Sequence, residues 1–305
     1  MWRLMVLFLL LLPAGFAGAE SPPSDLEAPA LAQLLERNAP AVVTVRARLR
    51  SLVRFGGDQQ ENEQAVEARG VMVSPRGLVL LSNSYLSATR LVELYRSMGA
   101  PEDFTAQTIP AELRIVVAGS DRELPAVLVA SDADLDLAFV QLDPVPEEPF
   151  SAVDFTSAGP LTVGRPIAVV SRLGSSFDAA PYLETARLAG RITRPREAWL
   201  LDGPLTAVGL PAFGFDGRPL GILTTVLSPS GSTLGQKEGY EPLAIGLPQR
   251  RENQPIGLFL VPAARVRVAI DAALARVAER ARTTDAATNG EMPSEADRNR
   301  DAGGS

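Results

Sequence analysis

Catalysis near neutral pH needs side chains that exchange protons or attack an electrophile, and this chain offers a reduced set of them. Its 305 residues include neither a histidine nor a cysteine. Histidine is the side chain whose ordinary pKa places proton exchange near neutrality, so a Ser/His/Asp triad is ruled out, as is a Cys/His nucleophile. Without thiolate or imidazole there is no disulfide framework and no zinc site of the usual kinds; hard oxygen ligands are what remain for a metal. Asp132, Asp134 and Asp136 alternate in the string SDADLDL, as carboxylates do in calcium loops. Such a loop needs glycine at its sixth position, which here is Leu137, so no metal site is expected. Lys237, the only lysine, follows Ser228, Ser230 and Ser232, the residue types of a Ser/Lys dyad. A Gly-rich stretch is a poor place to desolvate an amine, and that dyad is set aside. Asp136 and Asp202 stay open as carboxylates for acid–base work, and no cofactor is expected.

The elements that must position these groups are short strands. Val42 to Leu49, Gly70 to Ser74, Leu78 to Asn83, Leu113 to Ala118, Ala126 to Ala130 and Leu137 to Leu142 form a first set, rich in aliphatic and β-branched residues and bounded by Gly, Pro, Asp or Ser. Ile167 to Ser171, Ala186 to Ile192, Ala198 to Leu201, Leu220 to Thr225 and Gly257 to Val261 form a second. Two all-β halves follow, residues 41–145 and 146–262, joined near Asp143 to Ser157. Between Pro22 and Pro40, Leu26, Leu31, Leu34 and Leu35 recur at helical spacing, which predicts an amphipathic helix within residues 20–40. A closing helix over residues 263–282 places Val266, Ile270, Ala273 and Leu274 on one stripe. Phe55 to Ala65 reads as a polar irregular stretch, Thr89 to Gly99 as an inserted helix, and Val226 to Pro255 as a Gly- and Pro-rich loop.

The ends of the chain differ from this pattern. Met1 to Ala19 carries Arg3, an apolar run from Leu4 to Leu12, Pro13 and then Ala17-Gly18-Ala19, the layout of a signal peptide cut before Glu20 or kept as an anchor. The expected address is periplasmic or extracellular, with no membrane span after cleavage. The net charge is −7, and losing Arg3 with the leader makes the remainder more acidic. With no basic block, nucleic acid is excluded as a partner. Residues 283–305 have almost no large apolar side chain, which predicts a disordered tail.

Five strings in this order resemble the HtrA/Deg type of trypsin-like serine protease domain. GVMVSPRGLVLLSNSYL (Gly70 to Leu86) is similar to that family's Gly-Val strand, Ser-Pro-x-Gly turn and Leu-Thr-Asn-x-His-Val strand. SDADLDLAFVQL (Ser131 to Leu142) resembles the segment that carries the triad aspartate in Asp-Leu-Ala. TVGRPIAVV (Thr162 to Val170), FDGRPLGILT (Phe215 to Thr224) and IGLFLVPAARVRVAIDAAL (Ile256 to Leu274) resemble the string that opens the second barrel, the strand after the nucleophile, and the final strand with its helix. The resemblance implies an all-β fold of two six-stranded antiparallel β-barrels, with an N-terminal and a C-terminal helix. Members often add a PDZ domain, whereas here the polar tail follows.

Carried over by position, the resemblance puts the triad acid at Asp136, the histidine position at Tyr85, and the Gly-Asn-Ser-Gly-Gly-Pro motif on Thr206, Ala207, Val208, Gly209, Leu210 and Pro211. The nucleophile position is then Val208, which has no nucleophilic atom, and Tyr85 is protonated at neutral pH. Thr206 replaces the glycine that shapes the oxyanion hole, and its branched side chain resists unusual dihedrals. Each residue also has a plainer reading. Asp136 serves either as an acid or as a structural carboxylate satisfied by amides. Tyr85 either donates to Asp136 or packs, and Val208 is a core or pocket-wall residue.

Three functions are compatible with this. The first is an exported trypsin-like pseudoprotease that binds a peptide or protein in its cleft, through Tyr85, Thr206, Val208, Gly209 and Leu210. The second is a structural or regulatory subunit that uses its inserted loops and has an inert cleft. The third is a serine endopeptidase by fold alone, with carboxylate chemistry at Asp136 or Asp202.

Overall fold

The computed structural model describes residues 27–55, 57–88, 92, 104–117, 120, 122–194, 196–225 and 258–290. The leader, Val226 to Pro255 and nearly all of the Thr89 to Gly99 insertion lie outside them.

The first barrel is built from β1 (Val42–Phe55), β2 (Asp58–Ser74), β3 (Leu78–Ser82), β4 (Thr105–Val116), β5 (Glu123–Asp132) and β6 (Leu137–Leu142). It closes in the order β1-β2-β3-β6-β5-β4, every described pairing antiparallel. β3 and β6 are buried along their whole length, as their mostly apolar runs LVLLS and LAFVQL require. The one amide in β6, Gln141, donates from Nε2 to the Arg76 carbonyl at 2.6 Å, so its burial leaves no orphan donor there. The second barrel holds β7 (Pro166–Arg172), β8 (Pro181–Ile192), β9 (Ala198–Asp202), β10 (Pro211–Gly214), β11 (Pro219–Thr225) and β12 (Leu258–Pro262). It closes as β10-β11-β12-β9-β8-β7, again antiparallel. The two six-stranded barrels expected from the sequence are therefore present.

Helix α1 (Glu27–Asn38) precedes the first barrel and buries Leu34. At its end the Asn38 side chain donates to the Leu34 carbonyl at 2.9 Å and takes up one of the carbonyls a helix C-terminus leaves free. Helix α2 follows β12 and covers Ala263–Gly290. Its buried stripe is Val266, Ile270 and Ala273, spaced by four and three residues, with Val277 partly buried beyond them. Among the described residues no helix is long and apolar enough to cross a membrane.

Three expectations change. The polar stretch from Phe55 to Ala65 is mostly strand: it forms the end of β1 and the outer half of β2, in register from Phe55↔Asp58 to Arg48↔Ala65. Cross-strand partners replace apolar burial there, with Arg50 Nε 3.0 Å from Glu61 Oε1 and Arg54 Nε donating to Gln59 at 3.0 Å. Helix α2 runs on to Gly290, so the tail is helical over 283–290, a continuation of the helix that a stripe of large apolar residues did not signal; residues 291–305 lie outside the described residues. Leu274 is 37% exposed and leaves the stripe.

The barrels meet along a polar seam. Arg69 on β2 donates from Nε to the Arg172 carbonyl at 3.1 Å and from Nη2 to the Leu173 carbonyl at 2.8 Å. Arg172 in turn donates from Nε and Nη2 to the Ala39 carbonyl at 3.1 and 2.7 Å. The Arg172 guanidinium has a pKa below the usual arginine range, first from burial and then from the charge of Arg69.

Candidate functional site

Asp136 sits at the turn between β5 and β6, and its backbone adopts φ 56°, the left-handed region that aspartate tolerates better than most residues. The turn aims its buried carboxylate at the segment after β3. Ser82 donates its hydroxyl to Oδ2 at 2.7 Å, and Ser84 donates its amide to Oδ1 at 2.8 Å and its hydroxyl to Oδ1 at 2.8 Å. Thr224 of β11 brings its hydroxyl within 3.4 Å of Oδ2, so the second barrel reaches the same carboxylate. The Asn83 amide also donates to the Asp136 carbonyl at 3.0 Å. Hydroxyls thus take much of the work that the plainer reading gave to amides. Ser82 and Ser84 were not singled out by sequence reading; the signal was the pair of serines flanking Asn83 beside the histidine position.

Tyr85 ends the short 3₁₀ turn Asn83–Tyr85 and is half-buried. Among the described residues no hydrogen bond joins its hydroxyl to Asp136. Burial pushes its pKa up, the Asp136 charge adds to that, and Arg69 opposes it. Arg196, between β8 and β9, is a residue that sequence reading missed. Burial lowers the pKa of its guanidinium, while the charges of Asp134, Asp136 and Asp132 act against that shift. Its Nε is buried without a hydrogen-bond partner among the described residues.

Across the seam, the chain leading into β10 carries the remaining positions. The Val208 amide donates to the Thr206 carbonyl at 2.9 Å, turning back on its own loop. The Thr206 and Ala207 amides donate to Glu184 Oε2 on β8 at 2.8 and 3.3 Å, and the Thr206 hydroxyl donates to Glu184 Oε1. The amides at the carried-over oxyanion positions are therefore already bonded inside the protein. Thr206 keeps a negative φ, since the positive-φ residues other than glycine are Asp136, Asp178 and Ala179. Gly209, at φ 82°, donates its amide to the Leu223 carbonyl at 2.8 Å.

Exposure sorts the five candidate binding residues. Thr206 is exposed, and Tyr85 and Val208 are half-buried. Gly209 is buried, and Leu210 is 0% exposed within the core, which corrects its placement on the cleft wall. Leu210 is apolar and precedes a strand, so it fills the barrel instead. Asp202 ends β9 and is exposed, far in kind from a desolvated catalytic carboxylate. Lys237 and its serines lie outside the described residues. No group of three or more acidic residues is arranged to hold a metal ion among the described residues.

The family model described as "Trypsin-like peptidase domain" matches residues 68–222, from β2 into β11, a span that contains Tyr85, Asp136 and Val208. The chain belongs to this family. A solved structure similar to this trypsin-like peptidase domain is the protease domain of MamO from Magnetospirillum magneticum in its apo form, at 18% identity and a TM-score of 0.44, covering 76% of this chain and 96% of that one. No curated protein matches the chain.

Proposed function

We propose that this trypsin-like domain is an exported, non-catalytic binding protein that takes a peptide or protein segment through Tyr85, Thr206 and Val208. One observation carries the reading: the amides that a serine protease keeps free for the substrate oxygen are engaged internally, those at 206 and 207 by Glu184 and that at 208 by the Thr206 carbonyl. With no histidine in the chain, nothing ionises near neutrality to activate a hydroxyl. The fold then supplies a binding surface alone.

The test has two parts. The purified protein hydrolyses casein no faster than a blank and stays unlabelled by a fluorophosphonate probe; stoichiometric labelling lost on replacing a single serine overturns the non-catalytic reading. An apolar fluorescein-labelled peptide binds at about micromolar affinity, and Val208→Arg abolishes that binding by placing a charge on the surface.

The burial of Leu210 and Gly209 favours a second reading, in which the cleft is inert and the inserted loops hold a partner. That reading replaces the first if Val208→Arg changes nothing while a short linker in place of residues 226–255 removes partner capture.

A further inference from the structure

Glu184 is held by four donors. Oε2 accepts the Thr206 and Ala207 amides at 2.8 and 3.3 Å, while Oε1 accepts the Thr206 hydroxyl and, at 3.3 Å, the Tyr182 phenol. Three of the four come from two consecutive residues, the arrangement by which a loop holds an anion with its backbone. No arginine forms an ion pair with Glu184 among the described residues, so the direct contacts of its carboxylate are neutral donors.

We propose that Thr206 and Ala207 form a carboxylate-binding site for a peptide, and that Glu184 occupies it in the free protein. The proposal rests on the cleft-binding reading and deepens it by naming the chemistry of the ligand. A peptide carboxylate carries the same charge and the same two acceptor oxygens as Glu184, so it can take over the same donors one for one. Exchange needs no unfolding: Thr206 is exposed and Glu184 half-buried, so water and ligand reach the site. Val208, half-buried and next in the chain, offers an apolar contact to the side chain adjoining the bound carboxylate. A free C-terminus fixes its carboxylate directly beside its last side chain and fits that pairing; an internal acidic side chain is the other source of the same group.

Removing Glu184 removes the competitor and takes the acceptor away from two amides and two hydroxyls, those of Thr206 and Tyr182. The probes are fluorescein-Ala-Val-Ala-Val as the free acid, the same peptide as its C-terminal amide, and fluorescein-Ala-Val-Glu-Val amide, titrated by fluorescence polarisation. Glu184→Ala tightens binding of the free acid by about tenfold over the unmodified protein and leaves the plain amide unchanged. A matching gain for the Glu-containing amide instead identifies an acidic side chain as the source. Glu184→Gln keeps the acceptor oxygen and the shape but loses the charge, so it gains in the same sense by less, and it decides the matter if Glu184→Ala melts early by circular dichroism. Equal binding of all three peptides, with or without Glu184, overturns the carboxylate site and leaves the cleft reading standing. If neither variant nor the unmodified protein binds any of the three, both fall.

Discussion

Gly209 of the second barrel lies against Ser82 of the first so closely that a methyl group on it stands 2.5 Å from the Ser82 backbone nitrogen. Its φ of 82° is also one that side-chain-bearing residues rarely adopt. Because the obstacle is backbone, a larger residue is accommodated only by moving one barrel away from the other. Gly209→Ala is expected to destabilise the fold by about 2–4 kcal/mol, combining left-handed strain with overpacking. Urea denaturation reads this directly, and an unchanged midpoint means that the barrels do not meet here.

Asp136 tests the hydroxyl cluster. Asparagine has the same shape and tolerates the left-handed turn, so Asp136→Asn isolates the charge that Ser82 and Ser84 stabilise by donating to it. Hydrogen bonds to a charged group contribute about 1.5–3 kcal/mol each, and an amide that keeps one acceptor oxygen loses part of that. A loss of about 2 kcal/mol in equilibrium unfolding is expected. A change within about 0.5 kcal/mol assigns the carboxylate no structural role.

The fold was legible because the strands that build it are buried and bounded. β3 and β6 read directly as apolar runs ending in turn residues, and the helix stripe through Val266, Ile270 and Ala273 read from its period. What escaped was held by pairing and not by burial. The outer halves of β1 and β2 carry arginine and glutamate partners whose pattern looks like loop until the opposite strand is known. β10 spans only Pro211–Gly214, too short for any alternation, and went unread as a strand. At the site, Glu184 was invisible because nothing in the sequence links a glutamate on β8 to Thr206, 22 residues on. Leu210 was misplaced because a family position says which loop a residue occupies but not which way its side chain faces.

Tyr85 gives the protein a pH dependence of known sign. Burial and the Asp136 charge raise its pKa in the folded state, so above about pH 10 the unfolded chain loses this proton first. Stability therefore falls as pH rises from there through the folded-state value, and it is unaffected by this group below that window. Tyr85→Phe, which breaks no hydrogen bond to Asp136, removes that part of the slope while changing little at pH 7. Urea midpoints measured at a series of alkaline pH values for both proteins check this, and identical slopes show that Tyr85 titrates as a free phenol.

Restoring the two missing triad groups should not by itself restore hydrolysis. In Tyr85→His with Val208→Ser, the new imidazole meets an Asp136 carboxylate already occupied by the Ser82 and Ser84 hydroxyls, and the new serine lies on a loop whose amides bond to Glu184 and to the Thr206 carbonyl. An oxyanion hole stabilises the transition state only if its donors are free at the moment of attack, and one such donor accounts for about 10²–10³ in rate. The double variant is therefore expected to remain at the blank rate with casein and unlabelled by fluorophosphonate. Adding Glu184→Ala and Thr206→Gly frees the amides at 206 and 207 from the carboxylate and restores the glycine whose flexibility lets the 208 amide turn away from the residue-206 carbonyl, and labelling at position 208 should then appear. If the double variant alone is labelled as fast as the quadruple one, the internal bonds of Glu184 do not obstruct the site.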